Sequence, residues 1–188
     1  MTKMDSGWVG AYFEHGVDVE NRRVFIGEID EESIGSAVKG LYLMETMDAE
    51  APCEMFISSY GGSIYDALAL YDIMNTMTVP IHTFAYGKCM SAAPLLLAAG
   101  EPGHRWVAPH VALMTHDWID ELQGKGSELL AGVKHGEDLG KLWNRLIAGH
   151  STKDFGFWQR LGKKNADYYF TADDAIEYGI ADQIWSEK

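Results

Sequence analysis

Cysteine is scarce in this sequence of 188 residues, which contains only Cys53 and Cys89. Two thiols, each in or beside an apolar stretch, exclude a disulfide scaffold and a four-cysteine zinc site, and they suit a reducing compartment. No apolar run approaches the roughly 20 residues that a membrane span requires. Positions 1–10 lack the basic start and apolar core of a signal peptide, so we expect a cytoplasmic protein.

Basic residues are also few, because 15 Lys and Arg stand against 28 Asp and Glu, which leaves a net charge of −13. A chain this acidic repels the phosphates of nucleic acids and of anionic lipids, so we expect neither nucleic acid nor membrane among its partners. Apolar residues make up 47% and charged residues 23% of the chain, which argues against disorder. The length predicts one domain that folds without disulfides or structural metal.

Short β-branched runs alternate with stretches of helical spacing along the chain. The predicted strands are 23–29, 53–58, 81–85, 111–115 and 168–170. The predicted helices are 30–47, 65–77, 92–99, 128–149 and 171–178. This alternation implies mainly parallel strands joined by right-handed crossovers. We therefore predict a single α/β domain at 22–188 with an N-terminal arm at 1–21.

The turns that follow the predicted strands are the first places to search for chemistry, because ligands of such sheets bind at the carboxyl ends of strands. The turn at 59–63 contains Gly61 and Gly62, whose open backbone N–H groups suit an oxyanion or a phosphate. A tight turn that simply needs two glycines explains the same residues. The turn is not a P-loop, since no Gly-Lys-Ser/Thr follows it.

A second turn places Ser91 at the start of the apolar helix predicted at 92–99. A serine in that position is a natural helix N-cap. The same position also suits a nucleophile, because the neighbouring N–H of Ala92 can serve as an oxyanion donor. The residues alone leave both interpretations open.

A nucleophilic serine requires a base, and the base requires an orienting group. Among seven histidines, His116 alone follows a strand at the end where Ser91 is expected. Asp167, just before the last short strand, is the candidate orienter, and Lys88 is a rival base in a Ser-Lys dyad or an exposed turn lysine. The other histidines are interpreted as surface residues or as lying at the wrong end of a strand, and no metal site is expected from their spacing: His15, His82, His104, His110, His135 and His150.

Four segments, in this order, resemble the ClpP family, the proteolytic subunits of the Clp protease, within the ClpP/crotonase superfamily. They are 56–63 (FISSYGGS), 87–100 (GKCMSAAPLLLAAG), 111–116 (VALMTH) and 167–182 (DYYFTADDAIEYGIAD). The resemblance covers about 22–184 and implies a ClpP/crotonase-type fold of repeated β-β-α units with a protruding handle helix at 128–149.

The resemblance assigns Ser91 as nucleophile, His116 as base and Asp167 as orienter, with Gly62 and Ala92 as backbone oxyanion donors. It implies a serine endopeptidase that needs no metal or organic cofactor, because ATP is used only by a separate partner. A catalytically silent ClpP-like scaffold subunit and a Ser-Lys protease of signal-peptide-peptidase or prohead type are the alternatives.

The resemblance also implies partners: further copies of the chain in heptameric rings that form a tetradecamer, an AAA+ unfoldase of the ClpX, ClpC or ClpA type, and peptides or unfolded proteins as substrates. For the location of the protein, the resemblance implies the cytoplasm, which is the host cytoplasm for a viral member of the family, or the plastid stroma. The chain departs from the family pattern at Tyr60, which stands in place of proline, and in its short, acidic arm. The charge of that arm predicts weak or conditional docking of the unfoldase.

Overall fold

The computed structural model describes residues 15–119, 121–162 and 167–185, so positions 1–14 of the predicted arm lie outside the described residues. The strands are β1 (Val17–Asp18), β2 (Arg23–Ile26), β3 (Cys53–Ser59), β4 (Ile81–Met90), β5 (Arg105–Val107), β6 (Ala112–Thr115), β7 (Tyr168–Phe170) and β8 (Gln183–Ile184). The helices are α1 (Glu31–Met47), α2 (Ile64–Thr76), α3 (Ala93–Ala98), α4 (Gly126–Gly149), α5 (Phe155–Gly162) and α6 (Ala172–Tyr178).

The strands form one sheet in the order β1-β2-β3-β4-β5-β8, and β6 and β7 branch from β4. All pairings from β2 to β8 along this path are parallel, whereas β1 pairs antiparallel with β2 and β7 pairs antiparallel with β6. The predicted α/β class is confirmed. The core forms where the helices cover the face of β3 that carries Cys53, Met55 and Ile57, all of which are fully buried.

Strand β4 extends to Met90, five residues beyond the predicted end at 85. Its first half pairs with β5 and its second half pairs with β6, so one long strand carries both branches of the sheet. Gly87 has a φ of +62° at the point where the branches separate. A glycine in such a place is typical of a turn. The sequence therefore predicted a turn at 86–91, whereas the structure continues β4 through Gly87 to Met90.

Helix α4 begins at Gly126, two residues before the predicted start, and its two halves differ in burial. The C-terminal half joins the core through Trp143 and Ile147, which are 8% and 0% exposed. Helical spacing puts Trp143 on one apolar stripe with Leu139 and Ile147, and from the sequence we expect this stripe to be exposed. The burial of Trp143 and Ile147 shows that this expectation is wrong. The exposed apolar side chains of α4 are Leu130, Val133 and Leu142.

Helix α5 and the short strands β1, β5 and β8 were not predicted. Strand β1 shows that the predicted domain boundary at residue 22 divides a packed unit, because Val17 and Val19 are both buried. Val17 packs against Gly40 of α1. A Cβ added to Gly40 would lie 2.6 Å from the Cγ1 atom of Val17. Within the described residues, no helix is both long and apolar enough to cross a membrane.

Candidate active site

Ser91 and His116 meet because β4 and β6 end side by side. Met90 of β4 pairs with Met114 of β6, and the Ser91 N–H donates to the Met114 carbonyl at 2.9 Å. One residue beyond β6, His116 places its Nε2 atom 2.8 Å from the Ser91 Oγ atom. A nucleophile and a base within hydrogen-bond reach are the geometric requirement for general base catalysis.

The second ring nitrogen of His116 defines how this hydrogen bond is directed. Nδ1 lies against the backbone carbonyl oxygen of Asp117. Because a carbonyl can only accept, Nδ1 carries the proton and Nε2 is left as the acceptor. The Ser91 hydroxyl therefore donates to the ring, which is the direction in which a base removes a proton from serine.

The backbone of Ser91 is strained, since its φ of +58° lies in the left-handed region that favours glycine. A residue held there costs about 1–3 kcal/mol and is typical of functional sites. The hydroxyl does not cap α3: that helix begins at Ala93, one residue later than predicted, and its N-cap Ala92 makes no side-chain cap bond. The interpretation of Ser91 as a simple N-cap is therefore wrong.

The glycine turn after β3 lies against Ser91. Gly61 and Gly62 have φ values of +102° and +148°. An added Cβ on Gly61 would lie 2.5 Å from the Ser91 Cβ, and one on Gly62 would lie 2.2 Å from the carbonyl oxygen of Ile29. Both glycines are required by the conformation of the turn. Gly61 is also required by its close approach to Ser91, and Gly62 by its close approach to the backbone of Ile29.

Gly62, Ser91, Ala92 and His116 line a common cavity of about 470 Å³. In the hydrogen bonds of the described residues, neither the Gly62 N–H nor the Ala92 N–H is used as a donor. Both are open to an acceptor in the cavity. The structure thus brings together the predicted nucleophile, base and oxyanion donors.

A model of the family described as Clp protease matches residues 16–188. The chain belongs to the Clp protease family. It is 31% identical to the ATP-dependent Clp protease proteolytic subunit 2 of Cutibacterium acnes over 169 residues, which cover 89% of this chain and 79% of the relative. It is 33% identical to the subunit of the same name from Corynebacterium jeikeium over 171 residues, 90% of this chain and 81% of the relative. The proteolytic subunit of Ligilactobacillus salivarius is 30% identical over 163 residues, 86% and 81% of the two chains.

Asp167 is close to the base of this Clp-type subunit in the sheet but is not bonded to it. The antiparallel register pairs Tyr168 with Thr115, so the next step beyond the pair sets Asp167 beside His116. The carboxylate is exposed, and the Nδ1 atom of His116 is occupied by the carbonyl of Asp117 instead. The orienting role of Asp167 stays a prediction.

Two further residues near Ser91, the candidate base Lys88 and the thiol of Cys89, do not contact the Ser91 hydroxyl. Lys88 places its Nζ atom 4.4 Å from the centre of the Tyr60 ring, and the Ser91 hydroxyl bonds to His116 instead. The Cys89 thiol is fully buried, and this burial raises its pKa well above the usual range, so it stays an unreactive thiol.

The remaining histidines make separate contacts. His82 and His104 stack with their ring centres 4.1 Å apart. His150 is half-buried and bonded to the Tyr71 hydroxyl at 3.0 Å, so the expectation of a solvated His150 is wrong; burial and then the charge of Arg105 lower its pKa. Within the described ranges, no group of three or more His, Cys, Asp or Glu residues is placed to hold a metal ion.

The outer wall of the cavity is a feature that the sequence reasoning missed. Trp118, two residues after the base, lies across α4, where an added Cβ on Gly136 or Gly140 would lie 2.6 Å or 3.3 Å from its ring. Trp118 also lines the cavity, together with Tyr65 and the buried Trp143. The four-residue spacing of Gly136 and Gly140 on one face of α4 is the signal that could have indicated a groove able to accommodate a large side chain.

Proposed function

We propose that this Clp-type protease subunit is a serine endopeptidase with Ser91 as its nucleophile. The observation that supports the proposal best is the 2.8 Å contact between the Ser91 Oγ and the His116 Nε2, on a ring whose proton is held at Nδ1. The strained backbone of Ser91 and its place at a strand end add to this support. The names of the relatives describe proteolytic subunits.

The reaction follows from these positions. His116 Nε2 accepts the Ser91 proton as Oγ forms a bond to the peptide carbonyl carbon, and the carbonyl oxygen becomes an oxyanion. The free N–H groups of Gly62 and Ala92 stabilise that charge. The C–N bond then breaks as the imidazolium gives its proton to the leaving amine. Water, deprotonated by the same ring, attacks the acyl-enzyme and releases the second product.

Asp167 has the role of orienting His116 and of stabilising the imidazolium that forms. Support comes from the register of β6 and β7: Thr115 pairs with Tyr168, and the next step along the two strands is His116 and Asp167. The protein groups supply every proton transfer in the scheme, so no metal or organic cofactor is needed. Any ATP is consumed by a separate partner.

The chain assembles, in this proposal, into heptameric rings that pair as a tetradecamer through α4. The supporting observation is a set of large exposed apolar side chains along that helix: Leu130 is 75% exposed, and Val133 and Leu142 are also accessible. Exposed apolar side chains of this size gain free energy when a partner surface covers them. The unpaired, buried thiols of Cys53 and Cys89 are consistent with work in the cytoplasm.

An AAA+ unfoldase of the ClpX, ClpC or ClpA type is the proposed partner, and the relatives' names describe an ATP-dependent protease. The sheet face opposite the helices offers an aromatic row for its docking. Phe56 stacks on Phe25 and on Phe84 at 5.2 Å and 4.9 Å, and Trp106 continues the row at 4.8 Å from Phe84. Phe25, Phe56 and Trp106 are half-buried and present the accessible part of the row, whereas Phe84 is 9% exposed and supports them from below. Leu41 and Met44 of α1 are fully buried and do not contribute to this surface. The weak docking predicted from the acidic arm stays a prediction, because positions 1–14 of the arm lie outside the described residues.

The test is covalent labelling with a fluorophosphonate, combined with hydrolysis of a small fluorogenic peptide. We expect the wild type to be labelled and Ser91→Ala to lose both label and about 10⁶ in kcat. His116→Ala should lose activity similarly, whereas a dead Lys88→Ala beside an active His116→Ala would establish the Ser-Lys dyad. A folded wild type without label would instead favour the silent scaffold.

A further inference from the structure

Tyr60 is an exposed aromatic residue in an unusual place. It directly precedes the two glycines of the turn after β3, and its side chain is 74% exposed, so it contributes little to the core. The Lys88 ammonium lies 4.4 Å from the centre of its ring, which is the geometry of a cation–π contact. The contact joins the ends of β3 and β4, which pair through Ser59 and Cys89.

The contact connects the two turns of the active site. Gly61, next to Tyr60, touches Ser91, and Lys88 stands three residues before that serine. The glycines allow the turn many conformations, so its position must be set by the groups around it. On one side it is held by the Ile29 N–H, which donates to the Gly61 carbonyl at 3.1 Å, and by the Ser59 Oγ, which accepts from the Gly61 N–H at 2.9 Å.

We propose that Tyr60 and Lys88 form a positioning pair that holds the glycine turn at the distance from Ser91 at which the Gly62 N–H meets the oxyanion. Neither side chain touches the substrate in this proposal. Both act through the turn, and the inference therefore rests on the proposed function. Because the oxyanion develops only during the reaction, loss of the pair lowers kcat and leaves KM within about twofold.

The expected size of the effect separates positioning from acid–base chemistry. An exposed cation–π contact corresponds to roughly a 2- to 5-fold change in kcat, whereas removal of a general base costs at least about 10²-fold. Arginine also separates the two roles, because its guanidinium stacks on an aromatic ring but does not lose its proton. Lys88→Arg therefore keeps kcat if Lys88 positions the turn and abolishes it if Lys88 is a base.

The experiment measures kcat, KM and the rate of fluorophosphonate labelling for Tyr60→Ala, Lys88→Met and the double variant. Each single variant and the double variant should lose the same 2- to 5-fold in kcat and in labelling rate, because removal of either partner removes the contact. Tyr60→Phe and Lys88→Arg should keep the wild-type values. Arg145→Met, which removes a second cation–π pair at 5.9 Å from Phe155, is the matched control and should have no effect.

Three results would overturn the inference while leaving the proposed function intact: wild-type kcat in Tyr60→Ala and Lys88→Met, losses that multiply in the double variant, or a change confined to KM. If Lys88→Met fails to fold, Lys88→Gln against Lys88→Arg makes the same comparison. A wild type that is not labelled at Ser91 overturns the proposed function and this inference together.

Discussion

At the scale of the residue, the site depends on backbone conformations that few side chains tolerate. Ser91 has a φ of +58°, and Gly61 with a φ of +102° approaches it so closely that no Cβ fits between them. This strained backbone conformation places the Ser91 hydroxyl at the strand end, where it reaches His116. Such strain persists only where the surrounding structure compensates for it, here through the bond from the Ser91 N–H to Met114.

The backbone strain at position 91 can be measured as a difference in the free energy of unfolding between two variants. Ser91→Gly and Ser91→Ala both remove the hydroxyl and its bond to His116, but only glycine adopts a φ of +58° without steric cost. We expect Ser91→Gly to be more stable than Ser91→Ala by about 1 kcal/mol, although both are inactive. Urea unfolding of the two variants measures the difference, and equal midpoints would contradict it.

At the scale of the element, one ion pair stabilises the short strands β5 and β8, which the sequence did not indicate. Arg105 of β5 is 8% exposed and donates through Nε and Nη2 to the carboxylate of Asp182, just before β8, at 2.8 Å and 2.6 Å. The same guanidinium donates to the His150 carbonyl at 2.9 Å. One side chain therefore ties the far edge of the sheet to the end of α4.

Removal of this carboxylate should be costly and pH-dependent. Burial alone would raise the pKa of Asp182, but the hydrogen bonds and charge of Arg105 outweigh it and lower the pKa. A carboxyl whose pKa is lower in the folded state adds stability above its unfolded value, about 3.9, and loses that contribution as the pH falls through the folded pKa.

We therefore expect Asp182→Asn to lower the free energy of unfolding by about 3 kcal/mol at pH 7, because Arg105 is left without its charged partner. The difference from wild type should shrink below pH 4, as wild-type Asp182 becomes protonated. Denaturant titrations at pH 7 and pH 3 provide the measurement. A difference that stays constant over this range would show that the charge of the pair is unimportant.

The wall of the cavity is also a property of elements, since Trp118 lies across the glycines of α4. Gly136→Ala would set a Cβ 2.6 Å from the Trp118 ring, so the ring must move. We expect KM to change at least about threefold and the preference for the residue before the scissile bond to shift, since near-attack geometry is sensitive to misplacement of this order. The rate of Ser91 labelling by a small fluorophosphonate should change less.

The matched control for this substitution is Gly126→Ala, on the same helix, where an added Cβ meets nothing within 4 Å. Both variants carry the same exchange on the same helix, although Gly126 is its first residue and gains less helix propensity. A comparison of their peptide kinetics therefore tests the contact with Trp118. An identical KM profile for Gly136→Ala and wild type would contradict a role of Trp118 in the cavity wall.

At the scale of the whole molecule, α4 is a helix with two environments. Trp143 and Ile147 attach its end to the core, while Leu130, Val133 and Leu142 remain exposed. An isolated chain gains nothing from these exposed apolar residues, because their burial requires a further surface. The proposed rings supply that surface.

Leu130→Glu combined with Leu142→Glu should split the assembly to single rings or smaller, because charges would be buried at the interface. Each subunit should stay folded, since both positions are exposed in the chain. Native mass spectrometry of the folded variant measures the outcome. Lys134→Glu, which makes the same total charge change of −2 on α4, controls for charge alone. A monomeric wild type at micromolar concentration would contradict the assembly.

The sequence by itself determined the α/β class and the pair of Ser91 and His116. Both follow from the local sequence pattern. A strand is recognised by its apolar run, and the residue after it lies at the carboxyl edge of the sheet, where ligands bind. The glycine turn was predicted on the same basis. Strands β5 and β8 were not, because three- and two-residue strands carry no period of their own and exist through long-range pairing and Arg105.

Only the tertiary structure decided how the site is arranged in detail. The bond from His116 to the Asp117 carbonyl depends on a ring rotation that no spacing encodes. The contact of Lys88 with Tyr60 requires β3 and β4 to be paired in register before the two side chains can meet. The seat of Trp118 on α4 likewise joins residues from two elements. Local pattern specifies which residues follow a strand, whereas packing between distant segments specifies what their side chains touch.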